Sequence, residues 1–235
     1  MPAGRSWFKV HARVVHAQAE RSIADLRNPE NTAALLDLAT VGMDGTTLRH
    51  TLRAEADLLS DRLSAQADAS AWVDEARAEV RQLCTACFEW RKRLFSRLRY
   101  AATCGADPDG SFPRTFGYRK LPRARARGIL NEFPALFEAL SSQEATLRPH
   151  GVNLGFLDEG QLHLQRLQAA QGDLDDALAT RKQATAAVKA SHGVLRDLLL
   201  RLTAADEAAA LEFGRPPRFR LTLLAPTPSS GGPAE

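Results

Sequence analysis

The longest regular pattern in the chain is a seven-residue repeat of apolar positions between Gly45 and about Gly105. The residues in between include no glycine and no proline. Seven of the eight positions of the repeat are apolar: Leu52, Leu59, Gln66, Val73, Val80, Cys87, Leu94 and Ala101. A strict seven-residue repeat keeps one stripe of a helix facing a partner, as in a coiled coil. It predicts one long helix over residues 45–104, on the order of 90 Å at 1.5 Å per residue.

A second repeat with the same period predicts another long helix over residues 155–213. Its stripe is Leu167, Leu174, Arg181, Val188, Leu195 and Leu202, with Ala170, Ala177, Ala184 and Leu198 three residues after four of these. The small alanines allow another helix to come close. Because the two repeats are similar in length and separated by a connector of roughly fifty residues, antiparallel packing is the economical arrangement.

Shorter amphipathic segments flank the two long helices. Apolar residues at three- and four-residue steps predict a helix from Arg5 to Arg27, ended by Asn28-Pro29 and followed by a short helix through Leu38, so that helices occupy 5–42. Glycine, proline and aspartate between Gly105 and Gly117 predict a loop. The rest of the connector, to residue 154, predicts one helix opened by Pro122, bent at Pro134 and ended by Pro149 and Gly151, with Leu130, Phe133, Phe137 and Leu140 on its buried face.

The chain finishes in a tail over 214–235 that is rich in proline, serine and glycine. Its last dozen residues have too few apolar groups to fold alone. Alternation of apolar and polar residues over 218–224 is compatible with a short strand or a peptide docked on the bundle, but we expect a loosely held, disordered tail. The fold class predicted is all-α: an elongated antiparallel helical bundle or coiled coil over 1–213 with two long helices, shorter flanking helices and the tail.

Composition supports this fold and a reducing environment. Hydrophobic residues make up 44% of the chain and aromatic residues only 6%, and the abundant residues are strong helix formers. Three cysteines do not form the framework of a small secreted protein. The N-terminus lacks the apolar run of a signal peptide, and no stretch approaches the roughly 18 apolar residues of a membrane span. We therefore expect a soluble, cytoplasmic protein without an integral membrane segment.

Residues 90–127 form a basic segment, with eleven arginines and lysines against Asp107 and Asp109, a net charge of +9. Six of the fifteen aromatic residues also lie here. Guanidinium groups beside aromatic rings suit nucleic-acid phosphates and bases, or an anionic lipid surface. The candidate anion-binding residues are Arg91, Lys92, Arg93, Arg97, Arg99, Arg119, Lys120, Arg123, Arg125 and Arg127. Alternatively, these side chains face water or pair with acidic residues elsewhere, such as Asp173 or Asp206.

The sequence offers no catalytic or metal constellation. Cys84 and Cys87 are spaced like a metal or redox pair, but structural zinc needs four ligands and no second pair completes the set. We predict that they are buried structural cysteines. The six histidines are scattered, and the Glu-x-x-His step of a ferritin-like di-iron site is missing. We expect no catalytic residues, no metal and no cofactor.

These patterns favour a non-enzymatic interaction protein: an adaptor, scaffold or assembly component that acts through coiled-coil surfaces and binds a protein partner or itself. One alternative is a protein that binds nucleic acid or another polyanion through residues 90–127, with an affinity that falls steeply with salt. A third is a peripheral membrane protein.

Overall fold

The computed structural model describes residues 3–28, 30–31, 45–117 and 125–219, of which 3–11 are described as backbone only, and every regular element over these residues is a helix. The helices are α1 (Ala3–Asp25), α2 (Gly45–Thr103), α3 (Phe112–Thr115), α4 (Ala126–Ser142), α5 (Glu144–Leu147) and α6 (Leu154–Glu212), with a 3₁₀ turn at Arg148–His150. The all-α fold with two long helices is confirmed. The short helix expected through Leu38 lies outside the described residues.

The chain forms two compact units. Unit 1 comprises residues 1–68 and 182–235, and unit 2 comprises residues 69–181. Helices α2 and α6, each of 59 residues, contribute to both units. Within unit 1 they pack antiparallel, because Arg62 bonds to the Ala187 carbonyl while Gln66, further along α2, bonds to Thr185.

The heptad stripe of α2 is buried at all eight positions, including the polar one. Gln66 is 4% exposed and donates a hydrogen bond from its amide nitrogen to the Thr185 hydroxyl over 3.0 Å. On α6 the stripe is buried at Leu167, Val188, Leu195 and Leu202 and half-buried at Leu174 and Arg181. The helix remains continuous through Gln66 and Ser70, as the unbroken heptad phase predicts.

Unit 1 is built on the apolar face of α1. The members of that face that the structure describes are buried against α2 and α6, as the three- and four-residue spacing predicts: Ala12, Val15, Ala19, Ile23 and Leu26. At the rim of the unit, Arg53 of α2 forms ion pairs with Glu20 of α1 over 3.0 Å and with Asp57 over 3.3 Å.

Unit 2 is centred on Trp90, whose side chain is fully buried. Its ring stacks on Phe156 with 5.2 Å between centroids and contacts Phe133 and Phe137 of α4. The indole N–H donates to the Phe156 carbonyl over 2.9 Å, so the one polar atom of the ring is satisfied. Trp90 therefore holds α4 and the start of α6 against α2.

The connector differs from the sequence prediction at three places. Its main helix was predicted to open at Pro122, but Arg125 is extended and α4 begins at Ala126. Asp107-Pro108-Asp109-Gly110 is a turn, as predicted, but the Asp107 carboxylate then accepts the backbone N–H groups of Ser111 and Phe112 over 2.7 and 3.0 Å. These two hydrogen bonds hold the backbone of Ser111 and Phe112 in place, and the short helix α3 forms there, within the expected loop. In addition, α4 ends at Ser142 rather than near Pro149. The hydroxyl of Ser142 donates to the Ala139 carbonyl and so competes with the backbone hydrogen bonds of the helix.

The segment 214–219 also differs from the expected loose tail. Gly214, with φ of +61°, ends α6, and the chain then turns so that the Phe219 ring is buried in unit 1. The last residues of the segment are therefore docked on unit 1, which is one of the alternatives that the sequence left open for residues 218–224. The rest of the tail lies outside the described residues.

Candidate functional site

Arg91 of the basic segment is part of the protein's interior. Its side chain is only 8% exposed and forms an ion pair with Glu132 of α4 over 2.9 Å. The guanidinium also lies over the Phe95 ring, 5.0 Å from the centroid. A buried arginine with these partners joins α2 to α4 and is not presented to an anionic ligand.

Arg93 and Arg97 lie one helical turn apart and share a partner. Their guanidinium groups lie over the Phe156 ring, at 5.7 and 4.0 Å from its centroid. Arg93 bonds to Glu159 over 2.5 Å, and this hydrogen bond holds the pKa of the Glu159 carboxyl below its ordinary value. Arg97 donates to the Gly151 carbonyl. Through these contacts both arginines link the start of α6 to α2.

The other candidate anion-binding residues have different surroundings. Lys92 pairs with Glu89 over 2.7 Å and lies over the Phe88 ring. The side chains of Arg99, Arg125 and Arg127, and of the neighbouring Arg114, are exposed. Arg119, Lys120 and Arg123 lie outside the described residues. Among the described members of the set, Arg93 and Arg97 are therefore brought together. The acidic partners of Arg91, Lys92 and Arg93 are Glu132, Glu89 and Glu159, rather than Asp173 or Asp206.

Cys84 and Cys87 are buried in the core of unit 2, as predicted. Burial raises the pKa of both thiols, that of Cys87 to about 11. The thiolate that binds metals and attacks electrophiles is therefore strongly disfavoured at neutral pH. Over the described part of the chain, no group of three or more histidine, cysteine and acidic residues is placed to hold a metal ion.

Thiol labelling of the native protein should separate Cys104 from the other two cysteines. Cys104 is exposed, so one thiol per chain is expected to react rapidly with a disulfide reagent such as dithionitrobenzoate at neutral pH. Cys84 and Cys87 should react at least a hundredfold more slowly, since their reaction requires local unfolding of α2. Cys104→Ser is the control and should abolish the rapid phase. Rapid reaction of all three thiols would contradict this arrangement.

An exposed apolar stripe occurs on α6 in unit 1, away from the heptad stripe. Its members are spaced by four, four and three residues, which places them on one face of the helix: Leu200, Ala204, Ala208 and Leu211. Leu211 is 87% exposed and Leu200 is 37% exposed. This stripe was not predicted from the sequence, although its three- and four-residue spacing is visible there, because the longer heptad pattern already accounted for the helix.

The described residues contain no helix that is both long enough and apolar enough to cross a lipid bilayer. Comparison of the chain with protein-family models, curated proteins and solved structures finds no match. The class that the fold defines is an all-α protein in which two long helices pack against each other.

Proposed function

We propose that the protein is a non-enzymatic interaction protein, an adaptor, scaffold or assembly component, which associates with a second copy of itself through α6. The observation that carries this proposal is the exposed stripe of Leu200, Ala204, Ala208 and Leu211. The heptad seams between α2 and α6 are used within the chain, so a further association requires another apolar face.

The stripe has the chemistry of a helix-packing surface. Apolar side chains aligned on one face lower the free energy when a partner removes them from water, by about 25 cal/mol for each Å² of apolar surface. The two alanines at its centre allow another helix to approach closely. The leucines at the two ends supply larger side chains that pack beside the contact.

Charge placement along one edge of the stripe is self-complementary and favours a second copy as the partner, whereas on the other edge Glu207 is exposed next to the midpoint and would face its equivalent in the other copy. Arg201 and Glu212 lie along the same edge of the stripe, on opposite sides of its midpoint between Ala204 and Ala208. An antiparallel pair related by a two-fold axis at that midpoint brings Arg201 of one copy beside Glu212 of the other. A two-fold interface uses the same surface on both chains, so each ion pair would form twice.

Sedimentation velocity over a range of protein concentrations tests this association. We expect wild-type protein to form dimers and the double variant Leu200→Glu/Leu211→Glu to weaken dimerisation at least tenfold, because four carboxylates would enter an apolar contact. Val194→Glu is the matched control, since Val194 is 46% exposed on the same helix but lies off the stripe. This control should dimerise like wild type. A wild-type protein that stays monomeric throughout the concentration range would refute the proposed self-association.

Binding of a polyanion is the second candidate function. The exposure of Arg99, Arg114, Arg125 and Arg127 supports it, while the pairing of Arg91, Arg93 and Arg97 within the chain reduces the number of charges that the segment offers. If wild-type protein is monomeric, binding of a labelled oligonucleotide at low and high salt is the next measurement.

A further inference from the structure

The segment that follows α6 is bound to unit 1 in the way that a peptide ligand is bound to a receptor. After Gly214 the chain runs through two prolines, and the backbone N–H groups of Arg218 and Phe219 both donate to one oxygen of the Asp206 carboxylate. The second of these hydrogen bonds is 2.7 Å long. The Phe219 ring is buried among the apolar side chains of unit 1.

The buried carboxylate of Asp206 makes this a specific binding site for the segment. Its carboxylate is fully buried, its second oxygen lies 2.9 Å from the Arg215 guanidinium, and a buried charge without partners is strongly destabilising. All three groups that compensate the charge come from residues 215–219. The side chain of Asp206 therefore requires an occupant of defined chemistry.

The contacts specify that occupant. It must present two consecutive backbone N–H groups to Oδ2 of Asp206, an arginine to Oδ1, and an aromatic ring to the apolar core. A second arginine, Arg218, bonds to the Asn31 side chain of unit 1. Pro216 and Pro217 restrict the segment to extended conformations before it binds, which lowers the entropy lost on docking.

We propose that the Asp206 site is a peptide-binding site that accepts residues 214–219 of a second copy of the chain as well as its own. All the contacts are made after Gly214, where the chain leaves the helix, so the same contacts can form between two copies when the segment turns outward at this residue. Exchange of an identical element is a low-cost route to a dimer, since no new interface has to be created. This inference goes beyond the proposed self-association through the stripe. In the exchange the C-terminal ends of the two α6 helices meet, whereas pairing about a midpoint between Ala204 and Ala208 places those ends on the order of 24 Å apart at 1.5 Å per residue.

Complementation between two defective chains tests the exchange. The acceptor chain carries Phe219→Ala, which weakens its own docking segment but keeps the Asp206 site. The donor chain carries Asp206→Asn, which weakens its own site but keeps the segment. Both chains also carry Leu200→Glu/Leu211→Glu, so that association through the exposed stripe does not contribute. Light scattering of an equimolar mixture is expected to give twice the mass of either chain alone.

A second donor covers the case in which Asp206→Asn fails to fold. An unrelated carrier protein with residues 214–219 at its C-terminus should bind the Phe219→Ala acceptor, as measured by fluorescence anisotropy. The same carrier with alanine in place of the phenylalanine is the matched control and should bind at least tenfold more weakly. Absence of binding by the intact carrier, with no complex between the two chains, would overturn the exchange. Dimerisation of wild type through the stripe would survive that result.

Discussion

Substitution of Gly160 by alanine is expected to lower the free energy of unfolding of unit 2 by about 2–3 kcal/mol. A Cβ atom at Gly160 would lie 2.4 Å from two carbons of the Trp90 ring and 2.9 Å from its nitrogen. The ring is enclosed by Phe133, Phe137 and Phe156 and is held by its hydrogen bond to the Phe156 carbonyl, so it has no space into which to move. The strain should exceed the roughly 1 kcal/mol that alanine normally gains over glycine in a helix.

Gly172→Ala is the matched control because Gly172 lies in the same helix and the same unit. A Cβ there meets no atom within 4 Å, so the substitution should raise the free energy of unfolding by up to about 1 kcal/mol. Urea denaturation followed by circular dichroism and tryptophan fluorescence measures both variants. Equal effects of the two substitutions would show that Gly160 does not touch Trp90 in solution.

Removal of the partner of Arg91 is expected to have the next largest effect. Glu132→Gln should destabilise unit 2 by about 2 kcal/mol, since it leaves a buried guanidinium without its compensating charge. Arg91→Met keeps the aliphatic stem and removes the charge, so its cost should be much smaller. The double variant should be no less stable than Glu132→Gln alone.

The same denaturation experiment checks this order. The control is Glu138→Gln, which changes an exposed acidic residue of the same helix and should alter stability by less than about 0.5 kcal/mol. If Arg91→Met lowers the free energy of unfolding more than Glu132→Gln does, groups other than Glu132 must also compensate the charge of Arg91. Oligonucleotide binding that is lost on Arg91→Met, with stability unchanged, would instead return Arg91 to the anion-binding set.

The helices were predictable because their signals are local and repeated. The heptad stripe from Leu52 to Ala101 marks both the extent of α2 and its buried face, and every position of the stripe is buried. Even Gln66, the polar exception, follows the phase of its apolar neighbours. The start of α3 was not predictable in this way, because it depends on the Asp107 side chain turning back to two particular backbone N–H groups.

The candidate site was harder to predict because charge pairing is not local. The carboxylates that meet Arg91 and Arg93 are 41 and 66 residues away in sequence, and many other acidic residues were equally plausible partners. Composition identified the basic segment but could not divide it into interior and exposed members. The docking of Phe219 was visible only as one of several alternatives, since nothing near it in sequence points to Asp206.

The polar contacts between α2 and α6 in unit 1 determine the register in which the two helices pack. A seven-residue repeat looks the same after a slip of seven residues, so apolar packing alone would tolerate several alignments of the two helices. Arg62 bonds to the Ser191 hydroxyl, and a slip in either direction would bring Ala184 or Leu198 opposite it instead. The hydrogen bond from Gln66 to Thr185 would be broken by the same movement. A few polar side chains thus fix a single register of α2 against α6 within unit 1.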